Sequence, residues 1–286
     1  MTDPRAVLLV RCPDRPGIIA AISAFLFRHG ANVIDFEQHS TDDDGGVYFT
    51  RLEFQTGGID LPLDDLQRAF ALDVARPFGM DWRLAVVSER KRVAVLASRH
   101  DHALLELLWT WKRGDLRADV TQVISNHPDL RQAVEGFGVP FVHVPNDKDR
   151  RAEAEREMLA LLEGQADLVV LARYMQIVSA GFVARFKDRL INIHHSFLPA
   201  FAGADPYRQA YDRGVKIVGA TAHYVTEVLD AGPIIEQDVG RVSHRDDVED
   251  LKHLGRDLER RVLARAVRWH CEDRVIVHGN KTVVFS

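Results

Sequence analysis

Asn192 and His194 stand two positions apart in the apolar run Leu190–His194, which we predict to be a strand. Alternate residues of a strand project from the same face, so the amide and the imidazole would lie together, with Ile193 and His195 facing the other way. Two donors presented side by side suit the oxygen of a carbonyl under nucleophilic attack. The same pair could instead satisfy backbone groups at a strand end, and the spacing alone leaves both interpretations open.

A carboxylate occurs nearby in the chain, in the turn Leu-Asp-Ala-Gly-Pro at 229–233. This residue, Asp230, follows the predicted strand that carries His223, and the Gly-Pro pair favours a defined bend. A carboxylate held beside an amide and an imidazole could orient water and move a proton. An Asx turn that caps its own loop is the alternative. Because Asp230 occurs together with the strand-end pair Asn192 and His194, a chemical role is favoured over an Asx turn.

The histidines of this region, His194, His195 and His223, together with Asp230, could in principle ligate a metal ion. Adjacent strand residues point apart, however, and no pair among them has the tight spacing of a metal site. We therefore predict that the protein has no metal site.

The first 87 residues have the pattern of a small separate domain. Strand-like runs at 6–11, 33–40, 47–54 and 82–87 alternate with helical segments after 14–17 and at 63–75. The order is βαββαβ, the ferredoxin-like split-βαβ pattern. Asp14 is the expected N-cap of the first helix. A charged segment at 88–92 marks the predicted boundary between domains 1–87 and 88–286.

The second domain alternates short apolar runs with helical segments, which predicts a doubly wound, mostly parallel, Rossmann-like α/β sheet. The predicted strands are 93–97, 120–125, 141–144, 168–172, 190–194 and 216–224. The predicted helices are 104–112, 130–137, 150–162, 177–186, 207–213 and 246–272, and a hairpin of 274–278 with 282–285 ends the chain. Ligands of such sheets lie beyond the carboxyl ends of the strands, where the candidate residues fall.

Composition excludes several classes of protein. Of 286 residues, 46% are hydrophobic and 28% charged, and 37 basic against 42 acidic residues give a net charge of −5. We therefore expect a globular protein with no nucleic-acid partner. No apolar run approaches the roughly 18 residues of a membrane span. With only two cysteines, a disulfide framework is excluded and a cytoplasmic location is favoured.

Three motifs carry a resemblance to a known family. They are Asn-Ile-His-His-Ser-Phe-Leu-Pro at 192–199, Gly-Ala-Thr-Ala-His-Tyr-Val at 219–225 and Leu-Asp-Ala-Gly-Pro-Ile-Ile at 229–235. They resemble the folate-dependent formyltransferase superfamily over nearly all of the second domain. The doubled histidine and Arg-Tyr-Met-Gln-Ile at 173–177 are most similar to its formyltetrahydrofolate deformylases. Asp-Arg-Pro-Gly at 14–17 resembles the start of an ACT domain, which those deformylases carry at the N-terminus.

The resemblance implies hydrolysis of 10-formyltetrahydrofolate to formate and tetrahydrofolate, which supplies formate for purine synthesis and balances one-carbon pools. It implies a catalytic trio of Asn192, His194 and Asp230, without a metal or redox cofactor. It also implies that the folate's aromatic ring lies in a channel lined by Met175, Gln176 and Val178. Two residues depart from the family pattern, Ala103 and Asp205, and neither belongs to the trio.

The ACT-like domain implies regulation and assembly. By resemblance, an amino acid such as glycine or methionine would bind at the start of the first helix, near Asp14, Gly17 and Ile18. Free N–H groups and the positive end of the helix dipole suit a ligand carboxylate there. Such domains pair their sheets, so we expect a homo-oligomer. A domain that only dimerises the enzyme is the alternative.

Two other functions compete with hydrolysis. A formyltransferase acting on an amine acceptor such as glycinamide ribonucleotide needs a phosphate cradle, usually a glycine-rich turn after the first strand of the domain. This chain has Ser-Arg-His-Asp-His at 98–102, without glycine, and it lacks the basic C-terminal domain that a transferase acting on tRNA uses. The other alternative is a catalytically silent regulator that binds amino acids.

Overall fold

The computed structural model describes residues 4–42, 45–147, 149–200 and 205–285. The chain forms two compact units. The first runs to Glu89 and includes Glu272–Ile276 and the residues from Val283 onward, whereas the second comprises Arg90–Cys271 and Val277–Thr282. The predicted division into 1–87 and 88–286 assigned no C-terminal residues to the first domain, and it stays a prediction.

The first unit confirms the βαββαβ order around an antiparallel sheet in the order β2-β3-β1-β4. Its elements are β1 Arg5–Pro13, α1 Ile18–Arg28, β2 Asn32–Ser40, β3 Val47–Gln55, α2 Leu63–Phe70, a π-helical turn Ala71–Ala75, α3 Arg76–Phe78 and β4 Asp81–Val86. The central strand β1 is apolar at almost every position because both of its faces are covered. Leu8 and Val10 pack in the cluster that contains the helices, while Val7 and Leu9 pack against Phe49 on the opposite face.

The expectation that Asp14 caps α1 is wrong. The helix begins at Ile18, and Gly17 occupies the N-cap with a φ of 95°. Asp14 instead accepts a hydrogen bond from the hydroxyl of Ser40, and its backbone N–H donates to the carbonyl of Gly46 at 2.8 Å. Its carboxylate therefore stabilises the neighbouring strands rather than the helix.

The second unit is built on a seven-stranded sheet in the order β11-β10-β9-β8-β5-β6-β7. Its strands are β5 Lys91–Ala97, β6 Ala118–Ser125, β7 Phe141–His143, β8 Leu168–Ala172, β9 Leu190–His194, β10 Ile217–Tyr224 and β11 Ile234–Arg241. Its helices are α4 His102–Arg113, α5 Arg131–Glu135, α6 Arg151–Leu162, α7 Ala180–Arg185, α8 Pro206–Arg213 and α9 Val248–Cys271. A terminal hairpin consists of β12 Val275–His278 and β13 Lys281–Val284.

Strands β5 to β9 are parallel, which confirms the doubly wound, mostly parallel sheet, and β10 and β11 are antiparallel additions at one edge. From β5 the chain winds outward to β6 and β7, and it then returns to β8 on the other side of β5. The winding therefore reverses between β5 and β8. Strand β11 was not predicted, because an edge strand with the sequence Ile-Ile-Glu-Gln-Asp-Val-Gly-Arg has no continuous apolar run.

Helix α9 packs against β10, β11 and α4 through an apolar stripe that includes Leu258, Val262 and Ala266. The same buried face also carries two polar residues, Glu259 and His270. Buried groups of this kind need hydrogen-bond partners, and both have them. Within the described ranges, no helix is both long enough and apolar enough to cross a membrane.

Candidate active site

The two candidate motifs meet at the carboxyl end of β9. Strand β10 runs antiparallel beside β9, and its register places His223 directly opposite Asn192. The turn that follows β10 then brings Asp230 back to the same edge, where its carboxylate lies beside His194. Strand pairing thus brings together residues that lie far apart in the chain.

The Asp230 turn is held tightly against the end of β10. The backbone N–H of Tyr224 donates to the carbonyl of Pro233 at 2.9 Å, and a Cβ on Gly232 would overlap the carbonyl oxygen of Tyr224. Glycine is therefore required at 232 by this close approach. Asp230 itself has a φ of 53°, in the left-handed region that aspartate tolerates better than most residues.

His223 links the other polar groups of the site. Its Nδ1 lies 2.9 Å from the carbonyl oxygen of Tyr224, which can only accept, so this nitrogen carries the hydrogen. In the neutral ring Nε2 is then an acceptor, and it faces the Asn192 amide nitrogen at 3.2 Å. The same Nε2 lies 3.7 Å from Asp230 Oδ1. Sequence reasoning assigned His223 no role, because its pairing with Asn192 depends on strand register.

His194 and Asp230 form the ionic part of the site. Asp230 Oδ1 lies 3.3 Å from His194 Nδ1, and hydrogen bonding by His194 is the main reason that the pKa of Asp230 lies well below its usual range, despite partial burial. The carboxylate is therefore ionised at neutral pH. The other ring nitrogen of His194, Nε2, is buried and has no hydrogen-bond partner among the described residues.

A small cavity of about 80 Å³ adjoins these groups. It is lined by Leu171, Gln176, Ile177, Val178, Asn192, His223, Val225, Thr226, Glu227, Leu229 and Asp230. Two of the three predicted channel residues, Gln176 and Val178, lie here, and the third, Met175, is not among the lining residues and is 55% exposed. Ile177 and Leu229 line the cavity and are also largely exposed, so apolar surface borders the cavity.

His195 occupies different surroundings from its neighbour. Its ring centroid is 5.1 Å from that of His194 and 6.1 Å from that of Tyr207 on α8. Burial, helped by the charge of Arg173, lowers the pKa of His195 to about 4. The ring is therefore neutral at physiological pH.

The remaining predicted residues lie away from this cluster. Ala103 is buried in α4, and Asp205 caps α8, where its Oδ1 accepts from the backbone N–H of Arg208 at 3.4 Å. In the first unit, Gly17 and Ile18 form the start of α1, and the Ile18 side chain packs into the core, so backbone N–H groups are what this helix end offers a ligand. Over the part of the chain that the structure describes, no group of three or more His, Cys, Asp or Glu residues could hold a metal ion.

The fold and the site define a class, an α/β formyl transferase domain preceded by an ACT domain. The family model described as formyl transferase matches residues 91–267, and that of the ACT domain matches residues 6–71.

Curated relatives that match nearly the whole chain are named deformylases, and the similar solved structures include deformylases over the whole chain and glycinamide ribonucleotide formyltransferases over about two thirds of it. It is 59% identical over 278 residues to the formyltetrahydrofolate deformylase of Mycobacterium tuberculosis, which covers 97% of this chain and 90% of the relative. It is 57% identical to that of Bacillus subtilis, over 99% of this chain and 95% of the relative. A crystal structure of a formyltetrahydrofolate deformylase from Pseudomonas syringae superposes with a TM-score of 0.96 at 49% identity, covering 100% of this chain and 96% of that one. The chain belongs to the formyltetrahydrofolate deformylase family, as its motifs predict.

Proposed function

We propose that this chain hydrolyses 10-formyltetrahydrofolate to formate and tetrahydrofolate. The observation that carries the proposal is the gathering of Asn192, His194 and Asp230 around His223, beside a cavity with an exposed apolar rim. The substrate in this proposal is taken from the names of the relatives, which are formyltetrahydrofolate deformylases. A silent regulator would not need this arrangement of donors and a carboxylate.

Asn192 and His194 stabilise the oxyanion that forms when water attacks the formyl carbon. One N–H of the Asn192 amide faces His223, which leaves its second N–H for the formyl oxygen. His194 donates through Nε2 when its ring is protonated, while Nδ1–H is held by Asp230. Each donor of this kind contributes roughly 2.7–4 kcal/mol of transition-state stabilisation.

Asp230 orients the water and carries the proton. In the free enzyme it is ionised, and a bound folate would bury it further, which raises the pKa of a carboxyl group. As the water oxygen forms its bond to the formyl carbon, Asp230 accepts a proton from the water. The bond from the formyl carbon to N10 then breaks and this proton passes to N10, so that tetrahydrofolate leaves; the second proton of the water is released to solvent as formic acid ionises to formate.

The test is to follow formate and tetrahydrofolate release from 10-formyltetrahydrofolate by the purified chain. Asp230→Asn keeps the shape but removes the proton acceptor, so turnover should fall by about 10²–10⁴-fold with folate binding largely kept. Asp188→Asn is the matched control, because Asp188 also has a positive φ but is exposed outside the site, and it should retain wild-type turnover. Near-normal hydrolysis by Asp230→Asn would contradict the assignment.

We further propose that the ACT domain assembles the enzyme into a homo-oligomer and binds glycine or methionine near Asp14, Gly17 and Ile18. The match to the ACT family and the start of α1, where Gly17 provides no side-chain cap, support this. An effector shifts activity only if it binds the active and inactive states differently. Both cysteines are buried and neither is in a disulfide, which fits a reducing compartment, and we place the enzyme in the cytoplasm.

Titrating each amino acid against the hydrolysis rate, for the wild type and for Gly17→Val, tests the effector site. A bulky residue at 17 should abolish a response that the wild type shows, while light scattering reports the oligomeric state. If no amino acid changes the hydrolysis rate of the wild type, the effector site is contradicted and only the role in assembly remains.

A further inference from the structure

The crevice in which an open α/β sheet binds its ligands is filled with protein side chains in this chain. Such crevices lie outside the carboxyl ends of the strands, where the winding reverses, here between β5 and β8. His102 begins the helix after β5, and Arg173 follows β8 directly. Both side chains reach Glu259, which projects from α9.

Glu259 is the centre of a buried cluster, the Glu259 cluster, formed with His102, Arg173 and Tyr207. Glu259 Oε2 lies 2.7 Å from His102 Nε2 and 3.4 Å from Arg173 Nη1, and the Tyr207 hydroxyl donates to Oε1 at 2.8 Å. Glu259 is 1% exposed. Burial alone would raise its pKa, but hydrogen bonding by His102 and the charge of Arg173 outweigh burial, so the carboxyl group is ionised. Its charge is balanced within the cluster by Arg173.

The Glu259 cluster adjoins the reacting centre. His195 is close to both, with its ring centroid 5.1 Å from that of His194 and 6.1 Å from that of Tyr207. Helix α9 leaves room for the Tyr207 hydroxyl at Gly255, because a Cβ at this position would overlap that hydroxyl. Any acceptor larger than water that approached from the crevice would meet these side chains first.

We infer that the Glu259 cluster makes water the formyl acceptor by occupying the space that a larger nucleophile would need. This inference rests on the proposed function. With an amine acceptor, the amine nitrogen would bond to the formyl carbon, the bond from that carbon to N10 would break, and an amine proton would pass to N10. To enter, the amine would have to displace His102 or Tyr207 from Glu259, and leaving a buried carboxylate without its hydrogen-bond donors is costly. Water requires no such opening.

The experiment supplies 10-formyltetrahydrofolate and excess glycinamide and measures the ratio of N-formylglycinamide to formate. His102→Ala and Tyr207→Ala each open the crevice from a different element while keeping the pair of Arg173 and Glu259. His102→Gln and Tyr207→Phe are the matched controls that keep the space filled. Circular dichroism first establishes that each variant is folded.

We expect formate alone from the wild type and from the two filled controls. In at least one opened variant the formylated fraction should rise to about tenfold or more above the background measured without enzyme, because exclusion of the competing acceptor is lost. Transfer to glycinamide by the wild type as frequent as by the opened variants would overturn the inference, and so would folded opened variants that still yield only formate. If the wild type consumes no 10-formyltetrahydrofolate, the proposed function fails and this inference falls with it.

Discussion

His195 makes the stability of the folded protein depend on pH in a predictable direction. Burial, together with the charge of Arg173, lowers the pKa of this imidazole from 6.5 to about 4. Between these values the unfolded chain binds a proton at His195 and the folded chain does not. The free energy of unfolding therefore falls as the pH decreases from 6.5 towards 4, and it is insensitive to this residue above that window.

The magnitude follows from the two pKa values. The interval from 6.5 to about 4 corresponds in full to about 3 kcal/mol, since one pKa unit is about 1.36 kcal/mol. Between about pH 7.5 and about pH 5 the contribution is about 2 kcal/mol. His195→Gln removes the titrating group and keeps a polar side chain of similar length, so this variant should lose about 2 kcal/mol less than the wild type over that range.

The assay combines two measurements. Urea unfolding at the two pH values gives the difference between wild type and variant, and His244→Gln, at an exposed position, is the control that should follow the wild type. Proton NMR of the imidazoles, with the His195 signal assigned by its loss in the variant, gives the pKa directly. A His195 signal that titrates near 6.5, or equal losses of stability in His195→Gln and wild type, would refute the reasoning.

Two further substitutions test close approaches of the backbone. Gly232→Ala would drive a Cβ into the carbonyl oxygen of Tyr224 and move the turn that carries Asp230, so with the proposed role of Asp230 kcat should fall by about tenfold or more; unchanged kcat would show that the turn tolerates displacement. Gly255→Ala would displace the Tyr207 hydroxyl and should lower the free energy of unfolding by about 1–3 kcal/mol, despite the higher helix propensity of alanine. Gly181→Ala, in a helix with room for a Cβ, is the control for both and should not be destabilising in urea unfolding.

Most of the secondary structure could be predicted from local pattern, and the exceptions have physical causes. The strands of the parallel sheet are short, continuous apolar runs because helices cover both of their faces. Strand β11 was not predicted because its sequence mixes polar and apolar residues. Its strand conformation is defined by its pairing with β10, which the local pattern does not show. The prediction that Asp14 caps α1 was wrong because its carboxylate accepts a hydrogen bond from Ser40. Ser40 belongs to β2, and the local sequence pattern could not show that β2 lies beside Asp14.

The sequence by itself determined which residues could do chemistry and how each is presented locally. The two-residue period of a strand puts Asn192 and His194 on one face, and the Gly-Pro pair bends the chain after Asp230; their catalytic roles stay predictions. Only the tertiary structure placed His223 opposite Asn192 and Glu259 among side chains from α4, α8 and the end of β8. Local pattern records the periodicity and turn preference of a segment. Strand order, register and helix packing depend on contacts between distant segments, and those contacts assembled the site and filled the crevice beside it.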